Sequence, residues 1–249
     1  MKIIISPAKK MNQDPDTLAC RTKPVFLEEA EELMRWMKGL SLPEAKALWK
    51  CNDKIAEQNY RRFQEMDLTR NLTPAVISYE GIQYQYMAPA VFGGKETDYI
   101  QEHLRILSGF YGVLKPFDGI VPYRLEMQAK ASHAGDLYRF WGDKLYREVT
   151  GGDHFILNLA SKEYSRCVER YLTPEDTYLT CVFGEIADGK VKQKGTLAKM
   201  ARGEMVRWLA ENQVEEAEQI RRFDRLGYQF VEELSSEREF VFAGTGNAD

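Results

Sequence analysis

Histidine and cysteine are scarce in this chain. Its 249 residues include three histidines and four cysteines, and no two cysteines form a Cys-x-x-Cys pair. Structural zinc sites draw on closely spaced sets of these residues, so we expect no zinc site. Scattered cysteines are typical of reduced thiols in a cytosolic protein, and we therefore expect a cytoplasmic location. The four cysteines are Cys20, Cys51, Cys167 and Cys181.

Long apolar runs and a positive net charge are also missing. No stretch approaches the roughly 18 apolar residues that a membrane span needs, and the apolar run from Lys2 to Ser6 is too short for a secretory signal. We therefore expect no membrane association. The net charge of −4 argues against a polycation that coats nucleic acid. A local basic patch stays compatible with it, because affinity for a polyanion depends on where the charges lie.

Familiar catalytic motifs are absent as well. The chain has no Walker loop, no Gly-x-Gly-x-x-Gly fingerprint and no carboxylates paired at metal-ligand spacing. It also offers no recognisable trio of nucleophile, base and orienting group. These absences favour a protein without enzymatic activity, and they give no reason to expect a cofactor or a metal.

The residues that are present suit a folded domain, since 44% are hydrophobic and 12% aromatic. Helix and strand signals are mixed, without a regular βαβ rhythm, an internal repeat or a linker. We predict an α+β fold with one compact domain over residues 1–249 and a mixed β-sheet surrounded by helices. The patterns predict strands at 2–6, 75–79 and 155–159, a hairpin at 178–194 that turns at Asp188-Gly189, and helices at 26–38, 41–63, 96–107, 137–149, 161–171 and 196–211.

The segment from His103 to Met127 carries the most information about function. A helical apolar pattern ends at Gly109 and Gly112, and the breaks Lys115-Pro116 and Asp118-Gly119 follow. Glycines at a sharp turn between helices expose amides that can bind an anion. The segment from Ser108 to Gly112 therefore suggests a helix–hairpin–helix-like element that grips a phosphate backbone. A plain helix terminus is the simpler interpretation.

Two clusters of basic residues could add to such a site. Lys9 and Lys10 follow the first predicted strand, and ligands often bind where strands end; they could equally be a solvated pair of surface lysines. The predicted helix at 196–211 carries Lys199, Arg202 and Arg207, with a glycine at 203. A glycine inside a helix costs about 1 kcal/mol relative to alanine. Either tight packing or close approach of a ligand could offset this cost.

A third group of polar residues could support catalysis. Arg124 and Glu126 lie two positions apart, so on an extended segment they share one face. Ser161 follows a short strand and begins a helix, and Asp143 closes a Trp-Gly-Asp sequence. The simpler interpretation is that Arg124 and Glu126 form a structural ion pair and that Ser161 only caps its helix. On these residues alone we prefer it.

At these motifs the sequence resembles the bacterial YaaA family of peroxide stress response proteins. The resemblance implies a cytosolic protein that limits damage during hydroperoxide stress. It also implies a compact mixed fold of YaaA type, with a positively charged cleft and a helix–hairpin–helix element that binds duplex DNA. At Glu80-Gly-Ile82 the chain departs from the Lys-Gly-Asp turn of many relatives. The likeness covers nearly the whole chain, including Ile5–Lys9, Asn52–Ala56, His103–Met127, Leu137–Asp143, Asn158–Ser161 and Lys199 with Ala201–Gly203.

We therefore predict a protein that binds double-stranded DNA largely without regard to sequence, and we infer no stable protein partner. The alternative is an enzyme that acts on a nucleotide or on damaged nucleic acid, with Glu126 or Asp143 as general base and Ser161 nearby. Direct handling of iron is disfavoured by the shortage of metal ligands. The residues expected to contact DNA are Lys9, Arg105, Ser108, Gly109, Gly112, Lys115, Arg124, Lys199, Arg202 and Arg207.

Overall fold

The fold is built on short strands. A computed structural model describes residues 1–131, 135–187 and 189–244. These residues form one unit around a central sheet. The strands are β1 (Lys2–Ile5), β2 (Lys10–Met11), β3 (Thr73–Pro74), β4 (Tyr79–Glu80), β5 (Leu104–Ser108), β6 (Gly112–Leu114), β7 (Gly119–Ile120), β8 (Lys130–Ala131), β9 (Gly135–Asp136), β10 (Phe155–Leu159), β11 (Thr177–Ala187), β12 (Lys190–Lys192), β13 (Tyr228–Phe230) and β14 (Glu239–Gly244).

Helices surround this sheet, and most follow the amphipathic patterns that the sequence carries. Among the described residues there are eleven α-helices and three short 3₁₀ turns, at Pro89–Val91, Arg225–Gly227 and Glu232–Leu234. The helices are α1 (Leu27–Lys38), α2 (Leu42–Trp49), α3 (Asp53–Gln64), α4 (Ala75–Ser78), α5 (Ile82–Met87), α6 (Gly94–His103), α7 (Leu137–Trp141), α8 (Lys144–Thr150), α9 (Lys162–Glu169), α10 (Gly195–Asn212) and α11 (Ala217–Ile220).

The central sheet is mixed, as predicted. Its order is β13-β14-β11-β10-β1-β5-β6, and β12 pairs with the end of β11. The five strands from β14 to β5 run parallel, whereas β6, β12 and β13 join antiparallel. The prediction of one mixed sheet surrounded by helices is confirmed, and the parallel centre gives the fold an α/β character.

The core lies at the middle of the sheet. Ile3, Ile4 and Ile5 of β1 have no exposed surface, and all five residues of β5 are buried. Parallel strands that helices cover on both faces carry such continuous apolar runs. This burial explains why the first strand could be recognised from its sequence.

The segment from Leu104 to Leu114 is a β-hairpin. Helix α6 ends at His103, and β5 then pairs with β1 on one side and with β6 on the other. The predicted helix–hairpin–helix-like element is therefore not confirmed in this segment. A short apolar run does not by itself distinguish a buried strand from a helix, and here the pairing with β1 decides. The same ambiguity affects 75–79, where α4 replaces the predicted strand.

The hairpin predicted at 178–194 is present as the antiparallel pair β11 and β12. Gly189 has a φ of +69°, which suits a tight turn between such strands. Asp188, the first residue of the predicted turn, lies outside the described residues.

Helices α5 and α10 pack with their backbones almost in contact at Gly203. A Cβ atom at this position would lie 2.1 Å from the carbonyl oxygen of Gln83. Packing therefore explains the glycine, and of the two interpretations that the sequence left open it is the one observed. The close approach brings α10 beside the first turn of α5, and both helices contribute to the site described next.

Candidate functional site

A cleft lies outside the carboxyl end of β1. The sheet continues to β5 on one side of β1 and to β10 on the other, so β1 lies where the direction of chain winding changes. Open sheets with parallel strands bind ligands at such points. The loops after β1 and β10 are joined there, because Ser161 N donates to Ser6 Oγ at 2.8 Å and Ser6 Oγ donates to Ser161 Oγ at 3.1 Å.

Cations from distant parts of the chain meet in this cleft. Lys9 comes from the loop after β1 and Lys10 from β2, Arg124 comes from the segment after β7, and Lys199 and Arg202 come from α10. We call this site the cationic cleft. Its volume is about 430 Å³. The sequence predicted that Lys9, Arg124, Lys199 and Arg202 contribute to one function, and the fold places all four along the same cavity.

Three carboxylates line the cationic cleft as well, and two of them engage part of its positive charge. Glu126 Oε1 lies 3.1 Å from Arg124 Nη2 and 3.5 Å from Lys9 Nζ. Lys10 forms an ion pair with Glu80, and Glu163 accepts a hydrogen bond from the Gln128 amide at 3.3 Å. The ion pair expected between Arg124 and Glu126 is therefore present, within the cleft.

Arg202 is one of two cleft cations that no described carboxylate neutralises. It is half-buried and forms no hydrogen bond or ion pair with any residue that the structure describes. Burial lowers the pKa of its guanidinium from the ordinary value. Lys199, one helical turn earlier, is exposed and likewise has no partner among the described residues. These two side chains leave an excess of positive charge on the α10 side of the cleft.

Tyrosines form the apolar part of the cleft lining. Tyr84, Tyr123 and Tyr164 are each less than 8% exposed. Tyr84 Oη donates to the Ser6 carbonyl at 2.9 Å. Burial raises the pKa of Tyr123 to about 12, so this phenol stays neutral at physiological pH. These residues provide a rigid aromatic surface next to the charged groups.

Ser108 supports this surface from beneath. Its Oγ lies 2.6 Å from Tyr123 Oη and accepts hydrogen bonds from the amides of Phe110 and Tyr111. The side chain is fully buried, so it does not reach the surface of the cleft. The amides of Phe110 and Tyr111 are therefore already hydrogen-bonded within the hairpin.

Three further residues predicted to contact DNA are also buried. Arg105 lies on β5 and donates to the backbone carbonyls of Gln101, Glu102 and Leu104 at the end of α6. Gly109 packs under the 124–127 segment, since a Cβ there would lie 2.4 Å from the Leu125 carbonyl oxygen. Gly112 packs under Trp141. The glycines serve close packing in the hairpin, and these three residues lie apart from the cleft surface.

The remaining predicted residues lie outside the cleft. Lys115 lines a smaller cavity with Asp118 and Glu148. Arg207 extends from α10 toward Glu211, with Nε 2.8 Å from the carboxylate. Asp143 pairs with Arg147 on α8. Of the three residues named for the catalytic alternative, Glu126 and Ser161 therefore reach the cationic cleft and Asp143 does not.

Sequence analysis missed the contribution of the turn after β4. Glu80, Gly81 and Gln83 line the cleft, and Gln83 Nε2 is buried without a hydrogen-bond partner among the described residues. The departure at Glu80-Gly-Ile82 was the available signal. In this chain the acid has a clear role, because Glu80 pairs with Lys10 where β2 and β4 meet.

Among the described residues, no three histidine, cysteine, aspartate or glutamate side chains come together in a way that could hold a metal ion. His133 lies outside those residues. No described helix is long and apolar enough to span a membrane.

Comparison with known proteins identifies chains with closely related sequences. A sequence profile described as "Peroxide stress protein YaaA" matches residues 1–234. A UPF0246 protein of Agathobacter rectalis is 57% identical over 244 residues, which cover 97% of this chain and 98% of the relative. UPF0246 proteins of Desulfitobacterium hafniense and Lactiplantibacillus plantarum are 56% and 54% identical, each over 97% of this chain and over 97% and 98% of their own lengths. Every element that lines the cationic cleft lies within the matched region.

Proposed function

This chain belongs to the peroxide stress protein YaaA family, and from this premise we propose that it binds duplex DNA through the cationic cleft, largely without regard to base sequence. Membership of the family is consistent with a role in the oxidative stress response. DNA binding would connect that role to the molecule that peroxide damages.

The observation that carries the proposal is the convergence of cations on an acidic protein. The chain has a net charge of −4, yet Lys9, Lys10, Arg124, Lys199 and Arg202 line one cavity. Lysine and arginine side chains that contact phosphates supply most of the affinity of sequence-independent DNA binding. Such contacts position the protein on the backbone and do not read bases.

The carboxylates in the cleft limit which cations are available. Glu126 engages Arg124 and Lys9, and Glu80 engages Lys10. Lys199 and Arg202 have no such partner among the described residues, so we assign the strongest attraction for phosphate to the α10 side. Lys9 is 70% exposed and can turn toward a phosphate at little cost, since exposed ion pairs contribute only about 0–1 kcal/mol.

Salt dependence of DNA binding tests the proposal. Each phosphate contact changes the slope of log affinity against log salt by about −0.9. Contacts from two to four cations therefore predict a slope between about −2 and −4. Fluorescence anisotropy of a labelled duplex, measured over a series of salt concentrations, gives this slope. A flat salt response, or no binding at low ionic strength, contradicts the proposal.

Variants on α10 locate the interface. We expect the double variant Lys199→Gln, Arg202→Gln to lower duplex affinity and to reduce the magnitude of the slope by about 2. Arg207→Gln is the matched control, because Arg207 belongs to the same helix but lies outside the cleft. Equal effects of the two sets of substitutions would mean that DNA binds elsewhere.

Glu126 gives a second candidate function specific support. Its carboxylate lines the cleft beside two cations and Ser161, an arrangement that can place a general base near a bound phosphate ester. The candidate is an enzyme that acts on a nucleotide or on damaged nucleic acid. Incubation with intact, oxidised and abasic duplexes and with free nucleotides tests it. The enzyme is favoured if Glu126→Gln abolishes turnover but not binding and if Asp143→Asn leaves turnover unchanged. Absence of turnover on every substrate would exclude this candidate.

A further inference from the structure

We propose that the cationic cleft holds a single nucleotide, with its phosphate at Arg202 and Lys199 and its base against the tyrosine surface. The inference rests on the proposed function and deepens it, because it names the part of DNA that enters the cleft. An unpaired or extruded nucleotide of DNA and a free nucleoside phosphate share this chemistry, and the experiment below separates the two.

The size of the cleft carries the first step. A cavity of about 430 Å³ falls in the range of roughly 300–1,000 Å³ that small-molecule sites occupy. A base-paired duplex is far too large for such a cavity, so only its backbone could reach the rim. One nucleotide is the unit of DNA that matches the space.

The chemistry of the lining carries the second step. A nucleotide has an anionic end and a flat aromatic end. The cleft provides Arg202 and Lys199 for the first, and Tyr84, Tyr123 and Tyr164 for the second. Sites that bind a base outside the duplex combine stacking on aromatic or apolar side chains with hydrogen bonds to its edge. An anion alone would not need the aromatic surface.

Unpartnered polar groups carry the third step. Buried side-chain donors without a hydrogen-bond partner among the described residues include Gln83 Nε2, Arg124 Nε and Arg202 Nε, and all three residues line the cleft. Leaving such a group unsatisfied is unfavourable, and more so when the group is charged. Three unpaired donors in one cavity therefore indicate a ligand that carries hydrogen-bond acceptors.

The positions of these groups allow roles to be assigned. Gly203 packs on the Gln83 carbonyl, so Arg202 and Gln83 lie on adjoining parts of one wall. The Gln83 amide can donate to a ring nitrogen or carbonyl of a base, and Glu126 can accept from an exocyclic amine or a sugar hydroxyl. The guanidinium groups of Arg124 and Arg202 can donate to phosphate oxygens.

The test compares duplexes that differ at one position. Anisotropy is measured for a fully paired duplex, the same duplex with one unpaired nucleotide, and that duplex with an abasic spacer in place of the nucleotide. Since a base that is already unpaired needs least energy to leave the stack, we expect binding at least about tenfold tighter for the unpaired nucleotide. We expect the abasic spacer to lose this gain.

Variants show whether the cleft causes the gain. Gln83→Met removes the amide at similar size, and Arg202→Gln removes the charge; each should abolish the preference for the unpaired nucleotide. Arg207→Gln should keep it. Thermal unfolding identifies a variant that fails to fold, and Arg202→Gln at the cleft surface then remains informative if Gln83→Met is lost.

Calorimetric titration with deoxyadenosine monophosphate and with inorganic phosphate separates the sources. If the paired duplex binds as well as the unpaired one and no monophosphate binds, the inference fails and the proposed function stands. If the monophosphate binds in an Arg202-dependent way but no duplex does, the proposed function fails and the ligand is a free nucleotide. If inorganic phosphate binds as tightly as the monophosphate, the site is only an anion site and the inference is overturned. If no probe binds, both the inference and the proposed function are overturned.

Discussion

Arg202 affects both the stability of the protein and its proposed function. It is half-buried, burial lowers its pKa, and no described residue neutralises it. A desolvated charge without a partner is unfavourable for folding. A protein keeps such a group when a ligand completes its contacts, and the position of Arg202 in the cationic cleft fits this explanation.

Replacing Arg202 by methionine should therefore separate stability from binding. We expect the free energy of unfolding to stay unchanged or to rise by up to about 1 kcal/mol, because an unpaired charge is removed and its packing volume is kept. Duplex binding should weaken at the same time. Urea unfolding and anisotropy measure the two effects. Arg207→Met is the control, since it breaks an ion pair worth about 0.3–0.5 kcal/mol; a clear loss of stability for Arg202→Met alone would show that Arg202 is structural.

At the scale of secondary-structure elements, contact between α5 and α10 builds one wall of the cleft. Gly203 allows this contact, because any side chain there would meet the Gln83 carbonyl. The hairpin of β5 and β6 supports the cleft in a similar way, with Gly109 packed under the segment that carries Arg124 and Glu126. Glycines thus determine how closely these elements approach and where their polar side chains lie.

Substituting the glycines of α10 tests this role. Gly203→Ala should lower the free energy of unfolding by up to roughly 2 kcal/mol, because the helix-propensity gain of about 1 kcal/mol offsets only part of an overpacking cost of about 1–3 kcal/mol. Gly195→Ala is the matched control at the start of the same helix. A Cβ at Gly195 meets nothing within 4 Å, so stability should stay level or rise. If Gly203→Ala and Gly195→Ala change the free energy of urea unfolding equally, close packing of α5 on α10 does not explain the glycine at 203.

At the scale of the whole molecule, the burial of the cysteines determines how readily their thiols react with an oxidant. Cys167 and Cys181 are buried on α9 and β11, and Cys20 is partly buried. Burial raises the pKa of all three thiols, to about 12 for Cys167. Because the thiolate is the reactive form, raised pKa values make these residues poor reactants for peroxide. The proposed DNA contact does not depend on them.

Alkylation measures this property directly. Only the thiolate reacts, and because burial raises the pKa of Cys167 to about 12, this thiol stays protonated at pH 8 in the folded protein. We expect iodoacetamide to modify Cys167 and Cys181 far more slowly in the native protein than in urea, as mass spectrometry of peptides can show. Similar rates in the two conditions would contradict the described burial. Native reactivity should increase as the pH rises toward the raised pKa.

Much of this architecture could be predicted from the sequence, but the candidate site only in part. The run of isoleucines at 3–5 predicted a buried strand, and the helix at 196–211 was recognised from its apolar spacing. The sequence indicates Lys9 because it follows a strand, and Lys199 and Arg202 because they lie on a basic helix; Arg124 is indicated by its position two residues from Glu126. Arg105 belongs to the 103–127 segment that suggested a phosphate-gripping element, and it is buried on β5, since local sequence does not record which strand pairs on each side of β5.

The sequence by itself determined the classes of local structure, the acidic balance of the chain and the identity of the cations available to bind an anion. Only the tertiary structure decided which of those cations share a cavity, which ones carboxylates engage, and that Gln83 and three tyrosines join them. The physical reason is that helix and strand periodicity is encoded over a few residues, whereas the cationic cleft depends on contacts between positions up to about two hundred residues apart.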